Sequence, residues 1–172
     1  MTLLDIALLV MRIVLGMVFI FHGGQKLFGW FGGQGTAGLA GMLSQQGVAY
    51  AGLLSRVAAL SEFGGGVLIL VGLFTPLAAA LIISTMLVAI VAIHFKNGFS
   101  NMEQGYEYNL SLIGLALPLL LVGPGAISVD HGLGYAMPLN QLPVWSVVFL
   151  VLVMLGGVLS MQLFKTIGPQ TN

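Results

Sequence analysis

Seven ionisable side chains stand inside or at the ends of long apolar runs of this chain: Arg12, His22, Lys26, Arg56, Glu62, His94 and Glu107. A charged group at the centre of a membrane-embedded helix costs roughly 2.5 to 3.5 kcal/mol on insertion scales, so each asks for a partner or a function. Glu62 is the sharpest case. It lies in Ser61-Glu62-Phe63-Gly64-Gly65-Gly66, in the middle of the apolar segment Ala49–Phe74. Each of the three glycines costs about 1 kcal/mol of helix propensity against alanine, but glycine also lets a neighbouring helix come close. Arg12, Gly16, Gly23 and Lys26 fall on one face of a helix, with His22 at its edge. Glu107, Ser111, Gly114 and Pro118 form a similar stripe.

Depth follows from a rise of about 1.5 Å per residue. Counted from the end that carries the first loop, Glu62 lies roughly 18–20 Å down and Arg12 roughly 24 Å down, so an Arg12–Glu62 pair is expected. His22 and Arg56 fall at roughly 9–10 Å, and Lys26, His94 and Glu107 at the boundary. The ionisable groups therefore crowd into one half of the bundle and predict a polar pocket on the side of the first and third loops. Such a pocket suits a quinone or similar ring, whose oxygens want a cationic or His donor and a carboxylate proton acceptor. Phe19, Phe28, Trp30, Phe31, Phe63 and Phe95 are candidates for its wall. His22, His94 and Glu107 also make up a two-His, one-carboxylate metal set, but they come from different helices and no HExxH or ExxH motif is present, so no metal is assigned. Each residue also has a plainer reading. Arg12–Glu62 could lock helix register, Lys26, Lys96 and Lys165 could be snorkelling end residues, His94 could be interfacial, and the aromatics could form an interfacial belt.

The elements that must position these groups are membrane helices. The chain has 172 residues, 58% hydrophobic and only 6% charged, against about 25% charged for soluble domains. Five segments have the length and composition of spans: Leu4–Phe28, Ala49–Phe74, Pro76–Phe95, Glu107–Val122 and Pro143–Phe164. They lack the alternation of a barrel strand. The first is read as a retained span, because Arg12 interrupts any signal-peptide core. The Gly-rich stretch Gly29–Val48 holds a candidate interfacial helix over Thr36–Gly47, with Thr36 as N-cap and Gly47 past its end. Thr75-Pro76 predicts a tight hairpin between the second and third spans. Zero net charge without a basic run argues against nucleic acid as a partner. With no cysteine, thiolate and Cys-ligated iron–sulfur chemistry are excluded for this chain alone. Lys26, Lys96 and Lys165 place the first loop, third loop and C-terminus on the cytoplasmic side.

These motifs, in this order, resemble the DoxX family of small membrane proteins. The matching residues are Arg12, Gly16 and His22-Gly23-Gly24-Gln25-Lys26-Leu27; Glu62-Phe63-Gly64-Gly65-Gly66; His94-Phe95-Lys96-Asn97-Gly98-Phe99; Gly105-Tyr106-Glu107-Tyr108-Asn109-Leu110; and Gly123-Pro124-Gly125 through Asp130. The resemblance covers about Leu4–Asp130. It implies a four-helix core and a link to quinone-associated redox chemistry, and it adds Asn109, Ser128 and Asp130 to the polar positions.

The expectation is an all-α integral membrane protein of the cell membrane. It is a single domain with an antiparallel four-helix transmembrane bundle over 1–130 and a fifth C-terminal transmembrane helix over 143–164. In the redox reading, His22, Lys26 and Glu107 are catalytic, and Arg12, Arg56, Glu62, His94 and Asn109 bind or position a substrate, with quinone the candidate cofactor. The alternative is a non-enzymatic subunit that anchors a redox partner protein, or a small-molecule transporter. Beyond the bilayer itself, the fifth helix is a candidate contact for that partner or for a second copy. Asp130 is expected on the opposite side from the pocket, as a turn or cap residue.

Overall fold

The structure, a computed structural model, describes residues 1–134 apart from Gln46 and Ala49, together with Val148 and Val151. Among the described residues it is all-helical: α1 (Leu3–Phe28), α2 (Gly35–Gln45), α3 (Ala51–Val71), α4 (Thr75–Ala89), α5 (Glu107–Val122) and the single turn α6 (Val129–Gly132). α4 runs on through a π-helical stretch, Ile90–His94, and a 3-10 turn, Phe95–Asn97. Three described elements are long and apolar enough to cross a membrane, Leu3–Phe28, Ala51–Val71 and Thr75–Asn97, and α5 is a shorter apolar helix. The expected segment Pro143–Phe164 lies outside the described residues.

Local chemistry explains the ends. Thr2 and Asp5 form a capping box at the start of α1, and Gly29 ends it in the left-handed conformation at φ 74°. α2 starts at Gly35, so Thr36 lies inside the helix rather than capping it, while Gly47 does turn left-handed beyond its end at φ 74°. The α3–α4 hairpin turns through Gly72 at φ 73°. Its cap comes from far along the chain: the Asp130 carboxylate accepts from the Phe74 and Thr75 amides at 2.8 and 3.0 Å. These are amides that an N-terminus leaves without helical partners.

The long helices pack side by side in the order α1, α3, α4, α5, with α5 returning to α1 and α2 resting on α3 and α1. Glycines set the closest approach. A Cβ on Gly23 would lie 2.4 Å from the Phe63 nitrogen, and one on Gly66 2.8 Å from the Ile20 nitrogen. Gly65 turns instead toward α4, where a Cβ would lie 3.2 Å from Ile82. The glycine run therefore seats α3 against α1 and α4 through adjacent residues. Buried Leu15, Phe19, Ile69, Ile82, Ala116 and Leu119 fill the core around that contact.

This register overturns the expected Arg12–Glu62 pair. Glu62 is level with Gly23, whereas Arg12 reaches the far end of α3. Its guanidinium donates to the carbonyls of Ile69 (3.0 Å), Leu70 (2.9 Å), Pro124 (3.2 Å) and Ile127. The depth count assumed that α1 ends where α3 begins. In fact α3 starts about two turns beyond the end of α1, and α2 folds against that overhang. Asp5 accepts from the Ala126 amide at 2.9 Å, so the same loop is held by a second side chain of α1.

Arg12→Met should therefore cost at least about 3 kcal/mol of stability, because it orphans several carbonyls in a dry setting. Arg12→Lys should recover only part of this, since one ammonium cannot reproduce the planar fork. Unfolding of the purified protein in detergent measures both; a parent-like Arg12→Met would remove Arg12 from its structural role.

Candidate functional site

Lys26, in the last turn of α1, reaches Glu62 in the middle of α3. Its ammonium donates to Glu62 Oε1 at 2.5 Å and Oε2 at 2.6 Å. The Glu62 side chain is 4% exposed and that of Lys26 is 36% exposed. Carboxylate desolvation is thus nearly complete, while the ammonium keeps an open side. An ammonium has three N–H donors, and both oxygens of Glu62 lie on one side of it, which leaves donor capacity on its open side.

The pair forms part of the wall of a cavity of about 200 Å³. The rest is α2 (Leu39, Leu43), α3 (Leu54, Val57, Ala58, Ser61) and one face of α4 from Leu81 to Ile93. The wall is therefore aliphatic. None of Phe19, Phe28, Trp30, Phe31, Phe63 or Phe95 lines it, which corrects the aromatic wall expected from sequence. Phe19 is in the core, and Phe28 stacks on Trp30 while Phe63 meets both edge-on, with centroids 4.8 to 5.8 Å apart. Ser84 and Thr85 also line the cavity, and their hydroxyls donate back to Ala80 (2.7 Å) and Leu81 (2.9 Å). Adjacent hydroxyls in an otherwise apolar helix were a legible signal that the motif reading passed over.

Of the expected site residues, the structure brings Lys26 and Glu62 together. The others have separate contacts. His22 Nε2 lies 3.3 Å from the Tyr108 hydroxyl. His94 Nδ1 is 2.7 Å from the Gln104 carbonyl, the geometry of a donor on that nitrogen. The Glu107 carboxylate accepts from the Asn101 amide at 3.0 Å and is exposed, closing the 98–107 loop rather than facing the cavity. Asn109 is buried with its amide 3.4 Å from the Met86 sulfur. Arg56 is exposed, and Arg12 belongs to the opposite end. His22, His94 and Glu107 are thus not drawn to one point, and among the described residues no group of three His, Asp or Glu is placed to hold a metal ion.

Apolar spans, a carboxylate–ammonium pair and an aliphatic cavity define a small helical membrane protein. The chain belongs to the DoxX family, whose family model matches residues 7–95. It is similar to "Inner membrane protein YqjF" of Escherichia coli (strain K12), at 32% identity over 129 residues, covering 74% of this chain and 92% of that protein. "Inner membrane protein YphA" of the same organism is 30% identical over 132 residues, covering 73% and 89%. "Putative oxidoreductase CatD" of Bacillus subtilis (strain 168) is 32% identical over 114 residues, covering 66% and 79%. No solved structure matches the chain.

Breaking this ion pair should cost more than removing it. Lys26→Met strands the Glu62 carboxylate and should lower stability by about 2 kcal/mol, less than for a fully buried pair because Lys26 is part-exposed. Lys26→Met combined with Glu62→Leu should return to at least the parent value. A double-mutant cycle on unfolding in detergent reads the coupling; additive effects would mean that the two side chains act independently.

Proposed function

We propose that this protein is a multi-pass cell-membrane protein that binds a quinone or quinol in the cavity beside Lys26 and Glu62, as a component of a membrane redox system. The observation that carries this reading is the ion pair set into an aliphatic wall. The open side of the Lys26 ammonium can donate to a ring oxygen, and Glu62 can accept the proton of a ring hydroxyl. An oxidised ring needs the donor and a reduced ring needs both, so the pair suits a ligand that changes protonation with its redox state. The apolar walls suit a lipid-soluble ring. The name of the CatD relative is in keeping with redox association.

Proton handling thereby stays with Lys26 and passes from His22 and Glu107 to Glu62. Reduction of a quinone to a quinol takes two electrons and two protons. In this reading the electrons come from a separate redox partner protein and this chain binds the ring and handles protons. The multi-pass arrangement takes α5 as a fourth span, with the first-loop side cytoplasmic. Lys26 is a weaker guide to that orientation once it is committed to Glu62.

The test is titration of the purified protein in lipid nanodiscs with a short-chain quinone and its quinol. Glu62→Gln should weaken binding by about tenfold, the loss of one charge-assisted contact, and keep the helical content of the parent. No binding of either redox form, or parent-like binding by Glu62→Gln, would overturn the reading. A variant that binds normally but no longer copurifies with a partner would favour the anchoring subunit instead.

A further inference from the structure

The cavity has a direction. α3 and α4 run antiparallel, and they are in contact where Gly65 meets Ile82. In that register Glu62 is level with Ser84 and Thr85, and Leu54 is level with Ala92 and Ile93, all of them lining residues. From Glu62 to Leu54 the trough runs about 12 Å along α3. Its two ends differ in chemistry. Lys26, Glu62, Ser84 and Thr85 gather at the end nearer the tight α3–α4 hairpin, whereas Leu39, Leu43, Leu54 and Ile93 form the other end. That apolar end lies at the beginning of α3. There Leu43 joins Val48 and Ala51 in a small hydrophobic cluster of its own, with Leu39 and Leu54 packed on it. The polar groups are therefore at one end of the trough, and the apolar stretch runs from them beneath α2.

Size narrows the occupant further. A cavity of about 150 Å³ accepts benzene, and sites for drug-sized ligands run from about 300 to 1,000 Å³. The present volume of about 200 Å³ lies between them. It is room for one ring with a short piece of chain, and not for a fused ring system.

We propose that the ligand is an elongated lipid-soluble molecule held with its oxygen-bearing ring at Lys26–Glu62 and its apolar chain along the α3–α4 trough beneath Leu39 and Leu43 of α2. The proposal rests on the quinone-type reading above and adds the orientation of the ligand and the class of its tail. The chain gains by leaving water or lipid for a fitted aliphatic groove. A head group alone forgoes that contact.

The experiment titrates the full-length protein in nanodiscs, with concentrations expressed per lipid, using 2,3-dimethoxy-5-methyl-1,4-benzoquinone and its analogues carrying one isoprene unit or a decyl chain. The parent should bind the chained compounds more tightly than the head-only ring, at up to about fourfold for each added carbon that the trough contacts. Leu54→Trp and Ile93→Trp, which obstruct the apolar end of the trough, should weaken the chained compounds by about tenfold and leave the head-only ring unchanged. Should either variant fail to fold, Leu54→Ala and Ile93→Ala should still lower chained affinity a few-fold without moving the head-only ring. A chain gain that survives these variants, or equal loss for chained and head-only compounds, overturns the trough. Binding of none of the three compounds by the parent overturns the quinone reading itself, and the trough with it.

Discussion

A single guanidinium holds one end of this protein together. Arg12 collects carbonyls from the last turn of α3 and from the 123–128 loop after α5. The last carbonyls of a helix have no partner within it, and a hydrocarbon setting has no water to supply one. Arginine answers both needs, because its planar fork donates in several directions at once and stays charged. Asp130 supplies the complementary service at the start of α4, and Asp5 ties the loop back to α1. Charged side chains in the membrane are costly, and here Arg12 and Asp130 are chiefly partners for orphan backbone rather than for one another.

This clasp determines where space opens. The α3–α4 hairpin is drawn tight by Gly72 and by the Asp130 cap, and the helices still touch at Gly65 and Ile82. Beyond that point the residues between them become cavity lining. The ion pair stands at the transition from contact to cavity. Lys26 can reach it because Gly23 and Gly66 bring α1 and α3 close. A larger residue at either glycine would push α1 away and separate the ammonium from the carboxylate. Glycine packing is thus a precondition of the site's electrostatics as well as of the fold.

Much of the architecture was legible in sequence because helix ends are local. Gly29 after Phe28, Thr75-Pro76 and the run Glu107–Val122 mark boundaries by cap chemistry, proline geometry and polarity, all read within a few residues. Asp130 as a cap, and the close approach of Gly66 to α1, were also within reach. Register was not. It depended on where α2 folds, a tertiary fact, and the overhang of α3 exchanged the partner of Glu62 from Arg12 to Lys26. Arg12 is matched by backbone carbonyls, which carry no sequence signature. The π-helical stretch Ile90–His94 was equally hidden, since nothing in Ile-Val-Ala-Ile-His departs from an ordinary apolar helix. Two residues of that stretch, Ala92 and Ile93, line the cavity. π-bulges recur at functional sites.

The pair and the clasp lie at opposite ends of the helix pair for a physical reason. A site that binds and releases a ligand needs room and a partly open side, as the exposed flank of Lys26 provides. A clasp needs its donors buried against fixed acceptors, and Arg12, 2% exposed, leaves almost no surface to solvent or lipid. Combining them would force one cation to satisfy fixed carbonyls and a changing ligand at once. Separating them lets Lys26 hold Glu62 on one side and keep a donor open on the other, while the bundle does not depend on that open donor for its shape. On this division of labour, the glycine-flanked carboxylate is neither an isolated reactive group nor a simple helix lock. It holds the ammonium in place at the one point where the tightly packed end of the bundle meets its open trough.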